Sequence, residues 1–346
     1  MLIPKKTHNA ILGQAVGEMI GRCGFIPPIA LATALQNHKL PTASSLSSPP
    51  ETIGLHGSHT QLSLTFALTY QNTGNSKCSN TYIQNLCRNT LPLLPFIRGS
   101  AFHFPDVLKN KPVPFEPNLA PAIWMGPVST MHSSIEELIP WTLSIAKNLS
   151  THPISITGAA FYAAICWGYS RDMHLTEIIH LLTTWRKSRA AQSSPVADKN
   201  WWAFEQAFWI RKNYGLTPML EFVSQTMKSS QKLNTPTPYN ILSFLPDVIY
   251  NVYASKDFTT AIIPISENTT PEFCTMCGTI ASLQGKQPET WMRNRLPTQL
   301  DYQQIGQWSY MVEEKLNRQW KSNIQNRFGK TVKNNQVTDP NQLKLF

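Results

Sequence analysis

Charge is scarce in this chain. Only 14% of its 346 residues are Asp, Glu, Lys or Arg, while 42% are apolar. That balance excludes an intrinsically disordered polypeptide and supplies enough apolar side chain for a sizeable core. Also missing is any unbroken apolar run of the ~18 residues that a membrane-spanning helix needs. The opening MLIPKKTHNAILGQAVGEMIG carries Gln14 and Glu18 within its apolar stretch and no small-residue cleavage site follows, so it does not read as a secretory signal. A cytoplasmic location without membrane association is the expectation. Cysteine is sparse too, with six in all (Cys23, Cys78, Cys87, Cys166, Cys274, Cys277). Several stand in apolar, helix-like text, which predicts buried reduced thiols rather than a disulfide framework. Alternating β-branched segments are almost absent, which argues against a sheet.

What is present is helical punctuation. Gly13, Gly17 and Gly21 recur every fourth residue and share one helix face, a stripe that weakens an isolated helix and requires a closely packed partner. Residues 8–36 read as a helix pair broken near Gly24 and Pro27-Pro28. Residues 41–60, rich in Ser, Pro and Gly, read as loop, with a helix beginning near Thr60. Across 99–130 stand Pro105, Pro112, Pro114, Pro117, Pro121 and Pro127, preceded by Pro92 and Pro95, and this spacing predicts an irregular insertion or lid. Ser134 with Glu136 and Glu137 marks a helix start. Further helices are expected over 154–170, 174–190, 201–214, 217–227, 238–254 and 257–263. The fold class is therefore all-α, a compact multi-helix bundle over 1–322 with a trailing tail over 323–346. Trp201, Trp202, Phe204, Phe208 and Trp209 stand at helical spacing, a pattern that suits a core better than an interface.

The net charge of +10 is unevenly placed. Lys315, Arg318, Lys321, Arg327, Lys330, Lys333 and Lys344 against Asp339 put +6 beyond residue 314. Such a stretch can touch phosphates weakly, and otherwise serves as a solvated extension.

Four ordered segments carry a resemblance. Gly13-Gln14-Ala15-Val16-Gly17-Glu18-Met19-Ile20-Gly21 is similar to G-x-x-x-G-D-x-x-G. Gly54 through Leu62, with Ser58, His59, Thr60 and Gln61, lines up with G-x-x-T-D-D-T-Q-M. Thr151-His152-Pro153 precedes an alanine-rich helix. Asp257-Phe258, Pro271 through Thr275, Ile280-Ala281 and Pro288 through Trp291 follow a fourth set of landmarks. Together, over about residues 9–296, they resemble the ADP-ribosylglycohydrolase family. The resemblance implies an orthogonal helical bundle. In active members two magnesium ions at helix ends hold the ribose while an ADP-ribosyl bond is hydrolysed. Carboxylates are needed because magnesium is a hard ion that prefers anionic oxygen.

This chain departs from that pattern at the metal positions. Ser58 and His59 stand for the paired aspartates, Glu272 and Cys274 for the second acidic pair, and Glu18 for the aspartate of the opening helix. Thr60 and Thr275 are kept. Trp124 stands where the family's M-R-x-x-P-L segment has arginine. A hydroxyl, an imidazole and a thiol cannot balance two divalent cations, so magnesium is not expected. The resemblance thus implies a ligand pocket of Ser58, His59, Thr60, Glu272, Cys274 and Thr275 without the usual hydrolysis, a pseudoenzyme acting as a binding or adaptor protein. The alternative is an active divergent hydrolase of N- or O-glycosidic ADP-ribosyl conjugates, with Glu18, His59 or Glu272 as acid or base. A third arrangement, zinc on His56, His59, Cys274 and Cys277, has suitable nitrogen and sulfur donors. Against it, Cys277 falls on the following helix, where a core-facing thiol is the simpler reading.

The chain ends Gln342-Leu343-Lys344-Leu345-Phe346. This resembles the bacterial sliding-clamp-binding pentapeptide Q-L-x-L-F, with Gln342, Leu343, Leu345 and Phe346 as the docking side chains. It implies a partner from DNA replication held by apolar anchors in a groove.

Overall fold

A computed structural model describes residues 5–23, 27–40, 57–73, 82, 85–86, 119–189, 195–230, 241–264 and 270–295. All-α architecture holds throughout them: thirteen helices and no strand among the described residues. In chain order they are α1 (Lys5–Gly21), α2 (Pro28–Gln36), α3 (Ser58–Thr73), α4 (Ala120–Ser129), α5 (Ile135–Leu149), α6 (Pro153–Tyr169) and α7 (Leu175–Arg189). Then come α8 (Pro195–Tyr214), α9 (Leu216–Ser230), α10 (Ile241–Ala254), α11 (Phe258–Ile262), α12 (Pro271–Leu283) and α13 (Thr290–Arg295). No described helix is long and apolar enough to cross a membrane. The expected tail over 323–346, His56, Cys78 and Cys87 lie outside the described residues.

The glycine stripe of α1 has its partner in α12, and this is the most extensive helix pair among the described residues. A Cβ at Gly17 would lie 2.0 Å from the Cys274 carbonyl oxygen, and one at Gly278 would lie 2.1 Å from that of Gly13. Backbone therefore meets backbone along the seam, which only glycine permits. α6 is apolar on every side and almost wholly buried, with α4, α5, α7, α8, α10 and α12 packed around it. An all-round apolar helix of this kind belongs at the centre of a bundle. The aromatic series divides: Trp201, Phe204 and Phe208 are buried, whereas Trp202 is 41% exposed.

Local signals set the ends. Ser134 accepts from the Glu137 N–H at 3.3 Å and opens α5. Asp257 and Thr260 form a reciprocal capping box at α11. Gly215 and Gly285, both at positive φ, follow the ends of α8 and α12.

One expectation is corrected. Residues 120–129 form a helix although the proline spacing predicted irregular chain across 99–130; residues 99–118 lie outside the described set. Pro121 sits in the first turn, where no amide donor is needed. Pro127 lacks the N–H that would reach the Ile123 carbonyl, but that oxygen accepts from the Ser63 hydroxyl at 3.4 Å instead. A side chain from α3 thus occupies the hydrogen-bonding position that the proline leaves open.

Candidate site at the meeting of three helix ends

The resemblance points to the N-termini of α3 and α12, and α1 brings a carboxylate to the first of them. Glu18, 2% exposed, extends from α1 over the start of α3. Its Oε1 accepts from the His59 N–H at 3.0 Å. Its Oε2 accepts from the Thr60 N–H at 2.9 Å and from the Thr60 hydroxyl at 2.7 Å. The first amides of a helix have no partner within it, and here a carboxylate from another helix caps them. Arg22, one turn beyond Glu18, is in close quarters with the same group. A Cβ at Gly57 would lie 2.3 Å from Arg22 Nη1 and 2.6 Å from Glu18 Oε1, so this glycine keeps clear the space both side chains use.

His59 faces the other helix end. Its Nε2 stands 3.8 Å from Glu272 Oε1, an electrostatic contact longer than a hydrogen bond, with the imidazole buried and Glu272 partly exposed. Burial raises the Glu272 carboxyl, but the His59 side chain, the backbone N–H of Glu272 and the Thr270 hydroxyl together outweigh it and hold the group below the usual carboxylate range. Thr270 also caps α12, accepting from the Phe273 N–H at 3.2 Å.

The remaining predicted residues go elsewhere. The Cys274 thiol, fully buried, donates to the Ile262 carbonyl at 3.3 Å and ties α12 to α11. Cys277 directs its thiol to the Val248 carbonyl of α10, at 4.0 Å. Burial holds both thiols well above their ordinary range, and it pushes Cys23 up to about 11, with Arg22 opposing. Thiols held so high stay protonated, whereas the thiolate is the form that attacks or binds metal. The Thr275 hydroxyl donates within its own helix to Pro271. The Ser58 side chain, like His56, lies outside the described residues. No group of three or more His, Cys, Asp or Glu side chains that could hold a metal ion occurs among the described residues.

Glu18, His59, Thr60 and Glu272 are therefore brought together, while Cys274, Cys277 and Thr275 serve helix packing. Arg22 was missed in the sequence. Its spacing of four from Glu18 was the available signal, since that spacing places both on one helix face. No model of a known protein family and no curated protein matches the chain.

Proposed function

We propose that the chain is an ADP-ribosylglycohydrolase-like binding protein without two-magnesium hydrolysis, recruited to a bacterial sliding clamp by its C-terminal peptide. The observation that supports the first half is the use made of Glu18. Both its oxygens accept hydrogen bonds from the start of α3, so the one acid that α1 contributes is spent on capping rather than on holding a cation. The Arg22 guanidinium lies beside it, and a divalent ion would have to displace or tolerate that charge. The same burial argues against acid–base work by His59, whose imidazole is almost closed to solvent. The clamp half rests on Gln342, Leu343, Leu345 and Phe346 in the sequence.

Thermal melts with ADP-ribose, alone and with magnesium, test the first half. A rise in melting temperature that is independent of magnesium is expected, and magnesium alone should give none. Turnover of ADP-ribosylated arginine or serine peptides would sink the non-catalytic reading in favour of the divergent hydrolase. For the second half, deletion of 342–346 should abolish binding to purified clamp. No binding by the intact chain, or unchanged binding after deletion, would end that idea.

A further inference from the structure

Away from the helix ends just described, a buried histidine holds the corner between α4 and α5. His132 is 1% exposed, and its ring packs against Tyr70 of α3, with centroids 4.6 Å apart, and Trp141 of α5, at 4.7 Å, which are themselves 5.3 Å apart. Tyr82 joins the cluster, 5.1 Å from Trp141 and 6.4 Å from Tyr70. Nδ1 shares a hydrogen bond with the Tyr70 hydroxyl at 3.2 Å, whereas Nε2 is buried with no hydrogen-bond partner among the described residues. The backbone carbonyl of His132 accepts from Trp167 Nε1 of α6 at 3.1 Å and from the guanidinium of Arg171, just past the end of α6. One residue thus joins three helices, and it carries a buried ring nitrogen of a kind that native structures rarely leave unsatisfied.

We propose that this corner is an acid-sensitive latch, in which protonation of the His132 imidazole releases α5 from α3 and from the end of α6. A protonated ring carries two N–H donors. Tyr70 would have to accept one of them, and the other would face a buried surface that offers no acceptor among the described residues. The charged groups facing the ring oppose one another, Glu137 of α5 favouring a cation and Arg171 disfavouring it, so burial decides. The two phenols bring no negative charge, because burial raises Tyr70 to about 12 and holds Tyr82 well above the ordinary phenol range.

The sign follows from linkage. Burial lowers the His132 imidazole to about 4 in the closed corner, against about 6.5 for a free one. Between those values the opened corner takes a proton that the closed corner refuses. The ratio of opened to closed therefore grows about tenfold for each pH unit of acidification, and is flat above that window.

Hydrogen exchange of the full chain, corrected for intrinsic rates, tests this with α12 peptides as the internal reference. Protection over 131–149 should fall about tenfold per pH unit between about pH 6.5 and about pH 4.5, while α12 stays level. In His132→Gln, which keeps a polar partner for Tyr70 but cannot be protonated, that slope should vanish. A slope that survives in His132→Gln, or a wild-type corner no steeper than α12, overturns the proposal. If the variant does not fold, an NMR titration of the wild-type imidazole decides: a midpoint near 4 supports the latch, and one near that of free imidazole refutes it.

Discussion

The acidic side chain at position 18, a candidate acid or base in the sequence, caps the start of α3 in the fold. Removing it leaves two amides and a hydroxyl buried without their acceptor. Glu18→Ala should therefore cost about 2–4 kcal/mol in urea unfolding, beyond an ordinary lost helix cap. Glu18→Gln retains one acceptor oxygen and should cost less. A negligible loss for Glu18→Ala would show that the carboxylate is not a cap and reopen its role as acid, base or ligand. Glu272 separates by pH instead. Its carboxyl is held below the usual range, so it contributes stability above its unfolded pKa, about 4.3, and that contribution is lost as pH falls through the folded value. Glu272→Gln should accordingly show a shallower loss of melting temperature on acidification than wild type. At this scale four of the positions that the family resemblance singled out, Glu18, His59, Thr60 and Glu272, lie side by side in the fold. Their partners were not legible. A cap contributed from 41 residues away, like the Cys274 thiol's turn to Ile262, depends on packing geometry that no local pattern encodes.

Helices were the most legible level, because their signals are local. The Ser134 cap and the break at Pro27-Pro28 both fell where periodicity and capping chemistry put them. The Gly13, Gly17, Gly21 stripe demanded a close neighbour without saying which, since the partner's own small residue, Gly278, lies more than 250 residues downstream. Pro127 misled because the compensating donor, Ser63, belongs to another helix. The seam gives a prediction with a built-in control. In Gly17→Ala the new methyl would meet backbone at 2.0 Å, which cannot yield without separating α1 from α12. A loss of about 4 kcal/mol or more is expected, enough to lower the melting temperature by about 10 °C. Gly285→Ala meets nothing within 4 Å and suffers only its φ of +83°, so about 1 kcal/mol should be lost. Equal losses at the two positions would mean that α1 and α12 do not meet backbone to backbone.

Across the whole molecule, charge divides into two populations that salt should tell apart. The +6 carried beyond residue 314 can act on partners through screened, long-range attraction. Inside the bundle, Arg211 of α8 donates to Asp247 of α10 at 2.7 Å while its guanidinium lies 4.2 Å from the Tyr250 ring, and both ions are buried. A buried pair is weak evidence of net stabilisation, because desolvation offsets the attraction, yet breaking it strands a charge. Asp247→Ala should thus cost about 3–5 kcal/mol, nearly the same at ~0.1 M and ~1 M salt. The exposed pair of Lys6 and Asp172, also at 2.7 Å, is the comparison. Lys6→Ala should cost under about 1 kcal/mol, and even that should fade as salt rises. Equal distances with unequal consequences would establish that burial, not proximity, sets what these ions contribute. If Asp247→Ala were as mild as Lys6→Ala, Arg211 must reach water without its partner, and α8 and α10 would be held by their apolar faces alone.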